Sequence, residues 1–279
     1  MGIDEAGRGP VLGPMVYAAS FCPVDFSEEL KSLGFADSKT LTHQKRCNLF
    51  ESIVQSSGKI QWNVKVMSPS DISMGMSRRS PYNLNAQAFD ATVQIIQAAL
   101  DHQYILQHIY VDTLGPPKTH QLNLQKAFPN LHFTVCSKAD SIYPIVSAAS
   151  IVAKVTRDAI VENWMFVELS IGKRKRLEES QDDDDDSIWN LPTGSGYPAD
   201  PNTTAWLKSH FDKVFGYPQL ARFSWATVKT LLADRGAQVT WNDEPAKIQK
   251  WFKEGQSGSN SNPPTLISKH FGLQTIGSL

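Results

Sequence analysis

The chain has 279 residues, 41% of them hydrophobic, and a formal net charge of -1. That length supports one sizeable core with a small appendage, and the charge rules out a global basic footprint for nucleic acid. Three cysteines in unpaired spacing, no apolar run near the ~20 residues of a membrane span and no signal-peptide pattern exclude a disulfide framework, a cysteine zinc site and a membrane anchor, and point to a reducing compartment.

Asp4-Glu5 stands at the end of a short apolar run and meets Gly7-Arg8-Gly9 at once. Only Met1-Gly2-Ile3 precede Asp4, so the spacing predicts a shortened first strand that supports these acids weakly. Neighbouring strand side chains point to opposite faces, so both acids serve one site only where the strand ends or turns. Gly7 and Gly9 supply that turn and let backbone N–H groups approach a ligand closely.

Val16–Phe21 reads as a strand after Gly13-Pro14. Thr42–Ser57 has helical spacing and stops at Gly58, and Ile60–Met67 alternates as a strand. Ser68-Pro69 opens a short helix. Asn83 caps a long one, Leu84–Gln103, with Ala88, Ala91, Ile95 and Ala99 along one face. His108–Asp112 is a strand ending in a carboxylate, followed by a short helix near His120–Ala127 and a strand at Leu131–Cys136. A long helix then spans Tyr143–Glu168, and its early Ser147-Ala148-Ala149-Ser150 lets it lie close to a sheet or ligand.

Gly172–Ser187 is a charged low-complexity loop. Within it Lys173–Asp186 holds four basic and seven acidic residues, so the remainder of the chain is about +2. Asp200-Pro201 caps a helix through Phe215, and Ser224 caps another through Asp234. A short helix from Pro245 to Lys253, a linker at Gly255–Pro264 and a last apolar segment at Thr265–Leu273 complete the chain. Strands followed by alternating strands and helices indicate a mixed α/β sheet with helices on its faces and a C-terminal helical extension. The boundary falls between 235 and 236, with a catalytic domain over 1–235 that includes the loop insertion of about 172–188, and the extension over 236–279.

Ligand sites of open α/β sheets lie off the carboxyl ends of strands, where Asp4-Glu5 and Asp112 fall. Asp140 sits just before the small-residue helix, in a position that also suits a helix cap. Acids without His or Cys suit magnesium or manganese rather than zinc, and two such ions are the usual device for in-line phosphodiester cleavage.

Six ordered stretches resemble type 2 ribonucleases H. They are Asp4–Pro14, Asp37–Leu41, Tyr110–Asp112, Lys138–Asp140, Tyr143–Asp158 and Gly194–Asp200. The resemblance implies a ribonuclease H-like fold. It implies an endonuclease that cuts the RNA of RNA–DNA hybrids, and also cuts 5′ to a single ribonucleotide in duplex DNA, leaving 5′-phosphomonoesters. Position by position, Asp4, Glu5, Asp112 and Asp140 resemble the family's catalytic ligands for two Mg2+ or Mn2+ ions. Gly7, Arg8 and Gly9 resemble its junction reader, whose backbone contacts the 2′-hydroxyl. Tyr197 resembles the aromatic that contacts that hydroxyl and stacks on the next sugar, and Lys39 is placed like a phosphate contact. Asp158 is the rival ligand, but if helical it lies roughly 27 Å from Asp140, so its role is structural.

The length and the acidic insertion are similar to the eukaryotic branch of the family, whose catalytic subunit works in a heterotrimer with two accessory subunits. That branch implies a nuclear enzyme of DNA replication and ribonucleotide excision repair. Lys173–Arg176 reads as a nuclear-import patch, and Trp241, Trp251, Phe252 and Phe271 as a partner surface. Two alternatives stand beside this reading. One is a catalytically weak or inert nucleic-acid-binding or scaffold subunit, which the short first strand favours. The other is a different nuclease or transposase-like enzyme of the same fold, which Gly7-Arg8-Gly9 with Tyr197 disfavours.

Overall fold

The computed structural model describes residues 1–35, 41–56, 58–113, 115–168, 189 and 191–238. The chain divides into Met1–Gly236 and Ala237–Leu279, and all the elements below belong to the first unit. The expected loop at Gly172–Ser187, the helix at Pro245–Lys253 and the segments after it lie outside the described residues.

Five strands form one sheet in the order β3-β2-β1-β4-β5. They are β1 (Gly2–Ala6), β2 (Met15–Phe21), β3 (Gln61–Met67), β4 (His108–Asp112) and β5 (His132–Cys136). β1 is central. It pairs antiparallel with β2 from Gly2↔Ser20 to Ala6↔Val16, and parallel with β4 at Gly2↔Tyr110 and Ile3↔Val111. β2 is buried along its whole length, which accounts for its continuous apolar run. The mixed sheet is the one expected. The first strand is not the weakened one expected, because it runs past both acids to Ala6 and all five of its residues pair with β2.

Among the described residues the helices include α1 (Ser27–Ser32), α2 (His43–Gln55), α3 (Pro69–Met76), α4 (Leu84–Asp101), α5 (Pro117–Ala127), α6 (Ala139–Ile142), α7 (Pro144–Glu162), α8 (Pro201–Ser209) and α9 (Ala226–Arg235). Local chemistry sets many of their ends. The side chains of Thr42, Ser68, Asn83 and Asp200 accept from backbone N–H groups two or three residues on. α7 covers β1 and β2 on one face, with α2 against its outer side. α4 lies on the other face, where Ile3, Tyr17 and Ala19 meet Ala91, Ile95 and Ile96. A third cluster joins Val11 and Leu12 to Trp206, Leu207, Leu220 and Val228.

α7 sits very close to β1. A Cβ on Gly2 would stand 2.5 Å from the Ile145 carbonyl group, so only glycine fits there. Ser147, Ala148, Ala149 and Ser150 are all fully buried, which is the close approach that the small residues predict. Ile145, Val146, Ile151 and Val152 are buried beside them, at about 1.5–3 kcal/mol each relative to exposure.

Several expected boundaries move. The helix expected over Tyr143–Glu168 begins at Pro144, because Tyr143 is extended (φ -115°, ψ 113°) in front of that proline. It also ends at Glu162. The helix expected to reach Phe215 ends at Ser209, because the Asp212 carboxylate takes the Val214 and Phe215 N–H groups into a turn closed with Gly216. Ser224 does not cap α9. Its hydroxyl meets Met76 Sδ, and Trp225 holds the cap position. α1 follows a short 3-10 turn at Val24–Phe26, and neither is foreseen from the sequence.

His210 stacks on Trp206 with ring centroids 4.1 Å apart, and is buried. Burial pushes its imidazole below the ordinary value of 6.5, against the smaller opposing effect of a hydrogen bond to the Trp206 carbonyl. The unfolded chain therefore takes up this proton first as pH falls, and stability is full above 6.5 and is lost below it. The melting temperature should fall between about pH 7 and about pH 5, and less steeply in His210→Phe, which keeps a stacked ring without the proton. Parallel curves for the two proteins would show that His210 does not contribute.

Candidate active site

The parallel pairing of β1 and β4 brings their carboxyl ends side by side. Asp4 and Asp112 are both buried there and act on one another electrostatically. β5 ends at Cys136, and Lys138 takes a left-handed φ of 59° to turn the chain into α6. That turn aims the Ala139 N–H at Asp112 Oδ1, 2.8 Å away, and sets buried Asp140 in the first turn of α6. Asp140 is thus tied to Asp112 through a single backbone step.

Asp4 lies on the α7 side of the sheet. Its Oδ1 accepts the Glu5 N–H at 2.7 Å, and its carboxylate also bonds the Ser150 side chain. Burial first, and then the Asp112 charge, push the Asp4 carboxyl up to about 7 despite those hydrogen bonds. Glu5 faces the other way, as strand alternation requires. It lines a cleft of about 410 Å³ with Arg8, Tyr17, Asn85, Asp112 and His120. Asp112 borders both sides and links the two acids. Among the described residues, no three His, Cys, Asp or Glu side chains are gathered closely enough to enclose an ion.

The Gly7-Arg8-Gly9 turn is held from behind. Arg222 is fully buried and donates to the carbonyls of Gly7, Arg8 (3.0 Å) and Gly13 (2.8 Å). Trp225 Nε1 donates to the Gly9 carbonyl at 3.0 Å, and its ring lies 4.7 Å from the Arg222 guanidinium. Burial, with Arg157 nearby, lowers the Arg222 guanidinium to about 9. Gly7 has φ +79°, and a Cβ there would strike the Pro14 carbonyl and the Arg157 side chain. With the carbonyls of Gly7, Arg8 and Gly9 all bound, the turn is fixed in place.

Tyr197 comes to the same place. A Cβ on Gly9 would meet the Tyr197 ring at 2.9 Å, and the ring is half-exposed. Gly196 N donates to Thr203 Oγ1, its carbonyl accepts the Val11 N–H at 2.7 Å, and Arg157 Nη2 donates to both the Leu12 and Ser195 carbonyls. The turn and the Tyr197 loop therefore form one framework. The Arg8 side chain bonds Asn85 and Tyr17 across the cleft. His120 closes the far wall, its Nδ1 on Thr113 Oγ1 at 3.1 Å and its pKa lowered by burial and then by Arg8.

Lys39 and most of Asp37–Leu41 lie outside the described residues. Asp158 stands away from the acids, in an ion-pair group with Arg46, Arg157 and His43. The sequence reading misses Arg222, Trp225 and Asn85, and gives no role to Arg157 although it lies in the Tyr143–Asp158 stretch. Each acts on backbone or side chains far along the chain.

The ribonuclease HII family model matches residues 1–166. One of the ribonuclease H2 subunits of Rattus norvegicus is 43% identical over 290 residues, which cover all of this chain and 90% of the rat protein. The crystal structure of the ribonuclease H2 from Pyrococcus horikoshii OT3 superposes with a TM-score of 0.62 at 30% identity, over 84% of this chain and 96% of that one. Bst-RNase HIII in complex with Mn2+ gives 0.57 at 19% identity, over 84% of this chain and 69% of that one, a likeness of fold.

The separate placement of Asp158 gives a test. Asp140→Asn should lose nearly all hydrolysis of an RNA–DNA hybrid, whereas Asp158→Asn keeps most of it and loses thermal stability instead. Equal losses of turnover in two folded variants would contradict the assignment of Asp158.

Proposed function

This chain belongs to the ribonuclease HII family and is a ribonuclease H, an endonuclease acting on RNA–DNA hybrids, and we propose that it also cuts 5′ to single ribonucleotides embedded in duplex DNA. The observation that carries this reading is the clamped Gly7-Arg8-Gly9 turn with the Tyr197 ring against Gly9. A backbone turn in fixed position suits one hydroxyl at one sugar, the mark that separates RNA from DNA. Tyr197 is half-exposed and able to stack on the next deoxyribose. An RNA-to-DNA step is then preferred over a continuous DNA strand.

The donor chemistry suits divalent metal. The donors are carboxylate oxygens, and burial, with the Asp112 charge beside it, raises the Asp4 carboxyl, an effect that a cation would relieve. Asp4, Glu5, Asp112 and Asp140 would hold two Mg2+ or Mn2+ ions. Such ions, when bound, polarise the scissile phosphate, make a water nucleophilic and steady the leaving oxygen. The chain's own residues do the placing. Ala139 N–H orients Asp112, Ser150 orients Asp4, and Arg8 with Asn85 and Tyr17 fixes the cleft wall beside Glu5. Lys39 serves as a phosphate contact in this reading.

We further propose that the chain is the catalytic member of a nuclear heterotrimer with two accessory subunits, acting in replication and ribonucleotide excision repair. The rat relative is named as one subunit of ribonuclease H2, which supports an assembly of more than one chain. Residues 236–279, with Trp241, Trp251, Phe252 and Phe271, supply the partner surface, and Lys173–Arg176 the import signal.

Purified protein with Mg2+ should cleave a DNA duplex carrying one ribonucleotide, and Asp112→Asn should cleave neither that duplex nor a long hybrid. Tyr197→Ala should lose specificity constant on the single-ribonucleotide duplex by about ten-fold or more, as expected for one stacking contact. It should lose far less on the long hybrid, where many registers are available. An unchanged ratio of the two constants would remove Tyr197 from junction recognition.

A further inference from the structure

α7 carries a charged group that the hydrolytic scheme does not use. Lys154 is partly buried on the face of α7 toward β1, and its Nζ donates to Ser150 Oγ at 3.0 Å, one helical turn earlier. Ser150 is fully buried, and its side chain is hydrogen-bonded to Asp4. The ammonium also acts on the Asp4 carboxylate through space, in the direction that favours its ionised form. A chain of contacts thus runs from a cation on the helix, through a buried hydroxyl, to a carboxylate at the centre of the site.

The placement is fixed by the backbone. α7 lies so close to β1 that Gly2 has no room for a Cβ, and the small residues before Lys154 keep the helix there. Lys154 therefore cannot swing away with its helix. Its charge has opposite effects on two other charges. It favours clustered carboxylates, and it disfavours any cation that those carboxylates bind.

We propose that Lys154 is a resident counter-charge for the acid cluster, tethered to Asp4 through Ser150. It holds the acids together in the metal-free chain and makes divalent ions bind less tightly than the acids alone would. It is a positioning residue, not a catalytic one, and the inference rests on the reading that these acids hold ions.

The test uses the full chain in four forms: wild type, Lys154→Met, Lys154→Arg and Ser150→Ala. Metal-free melting temperature is measured first, and Mn2+ affinity second, by titration followed with electron paramagnetic resonance. Lys154→Met should melt about 2–4 °C lower without metal. It should bind Mn2+ roughly five-fold more tightly, because a like charge has gone. Lys154→Arg should restore both values. Ser150→Ala should move both in the same direction by less, and it carries the comparison if Lys154→Met does not fold. A lower melting temperature with unchanged or weaker Mn2+ affinity would reduce Lys154 to a structural contact and overturn the proposal. If Asp112→Asn binds Mn2+ as well as wild type does, the ion-binding reading itself fails, and the counter-charge then stands or falls on the metal-free melting temperature.

Discussion

One buried guanidinium, Arg222, holds the Gly7-Arg8-Gly9 turn in place. It reaches from the connection before α9 to three carbonyls of the segment after β1, and Trp225 takes a fourth. A turn rich in glycine would otherwise sample many conformations. Binding its carbonyls removes that freedom and decides which way its N–H groups face. The cost is a fully buried cation, and the lowered Arg222 pKa records it. Carbonyl acceptors and an aromatic face offset that cost.

The acids at the strand ends depend on a different constraint, the absence of side-chain volume between β1 and α7. Because Gly2 lacks a Cβ and four successive helix residues are small, the helix meets the strand almost backbone to backbone. That approach puts Ser150 on Asp4 and Lys154 behind it. On the far side, parallel pairing with β4 sets Asp112 beside Asp4, and the left-handed Lys138 turns the chain so that the Ala139 N–H reaches Asp112, with Asp140 the next residue. Backbone geometry thus decides where these acids stand. The turn is tied in further by Arg157, which fills the space beside Gly7 while holding the Leu12 and Ser195 carbonyls.

What is legible in the sequence is what local chemistry decides. The caps at Asn83 and Asp200 and the first-turn prolines at 69, 144 and 201 are readable because each acts within a few residues of itself. The mixed sheet follows from the order of strands and helices, and the small-residue stretch announces close packing. Asp4, Glu5 and Asp112 stand at strand ends, but it is the family resemblance that singles them out together with Asp140. Ser224 shows the limit. It has the right identity for a cap, yet the Met76 contact claims its hydroxyl. Asp212 shows it again, where one side chain ends a helical run by drawing two backbone N–H groups into a turn. The shortened first strand is a misreading of the same kind, since pairing with β2 carries β1 past the acids. Arg222 leaves no local trace at all, because its partners lie at the opposite end of the chain.

The central claim is that a clamped backbone turn reads a single 2′-hydroxyl. Its most direct measurement is equilibrium binding by the non-cleaving Asp112→Asn protein, compared between a DNA duplex with one ribonucleotide and the same duplex without it. The ribonucleotide duplex should bind more tightly by up to about ten-fold, the scale of one well-made hydrogen bond. Adding Arg222→Met should erase that preference while leaving affinity for the all-DNA duplex unchanged. A preference that survives in a folded Arg222→Met protein would contradict the account.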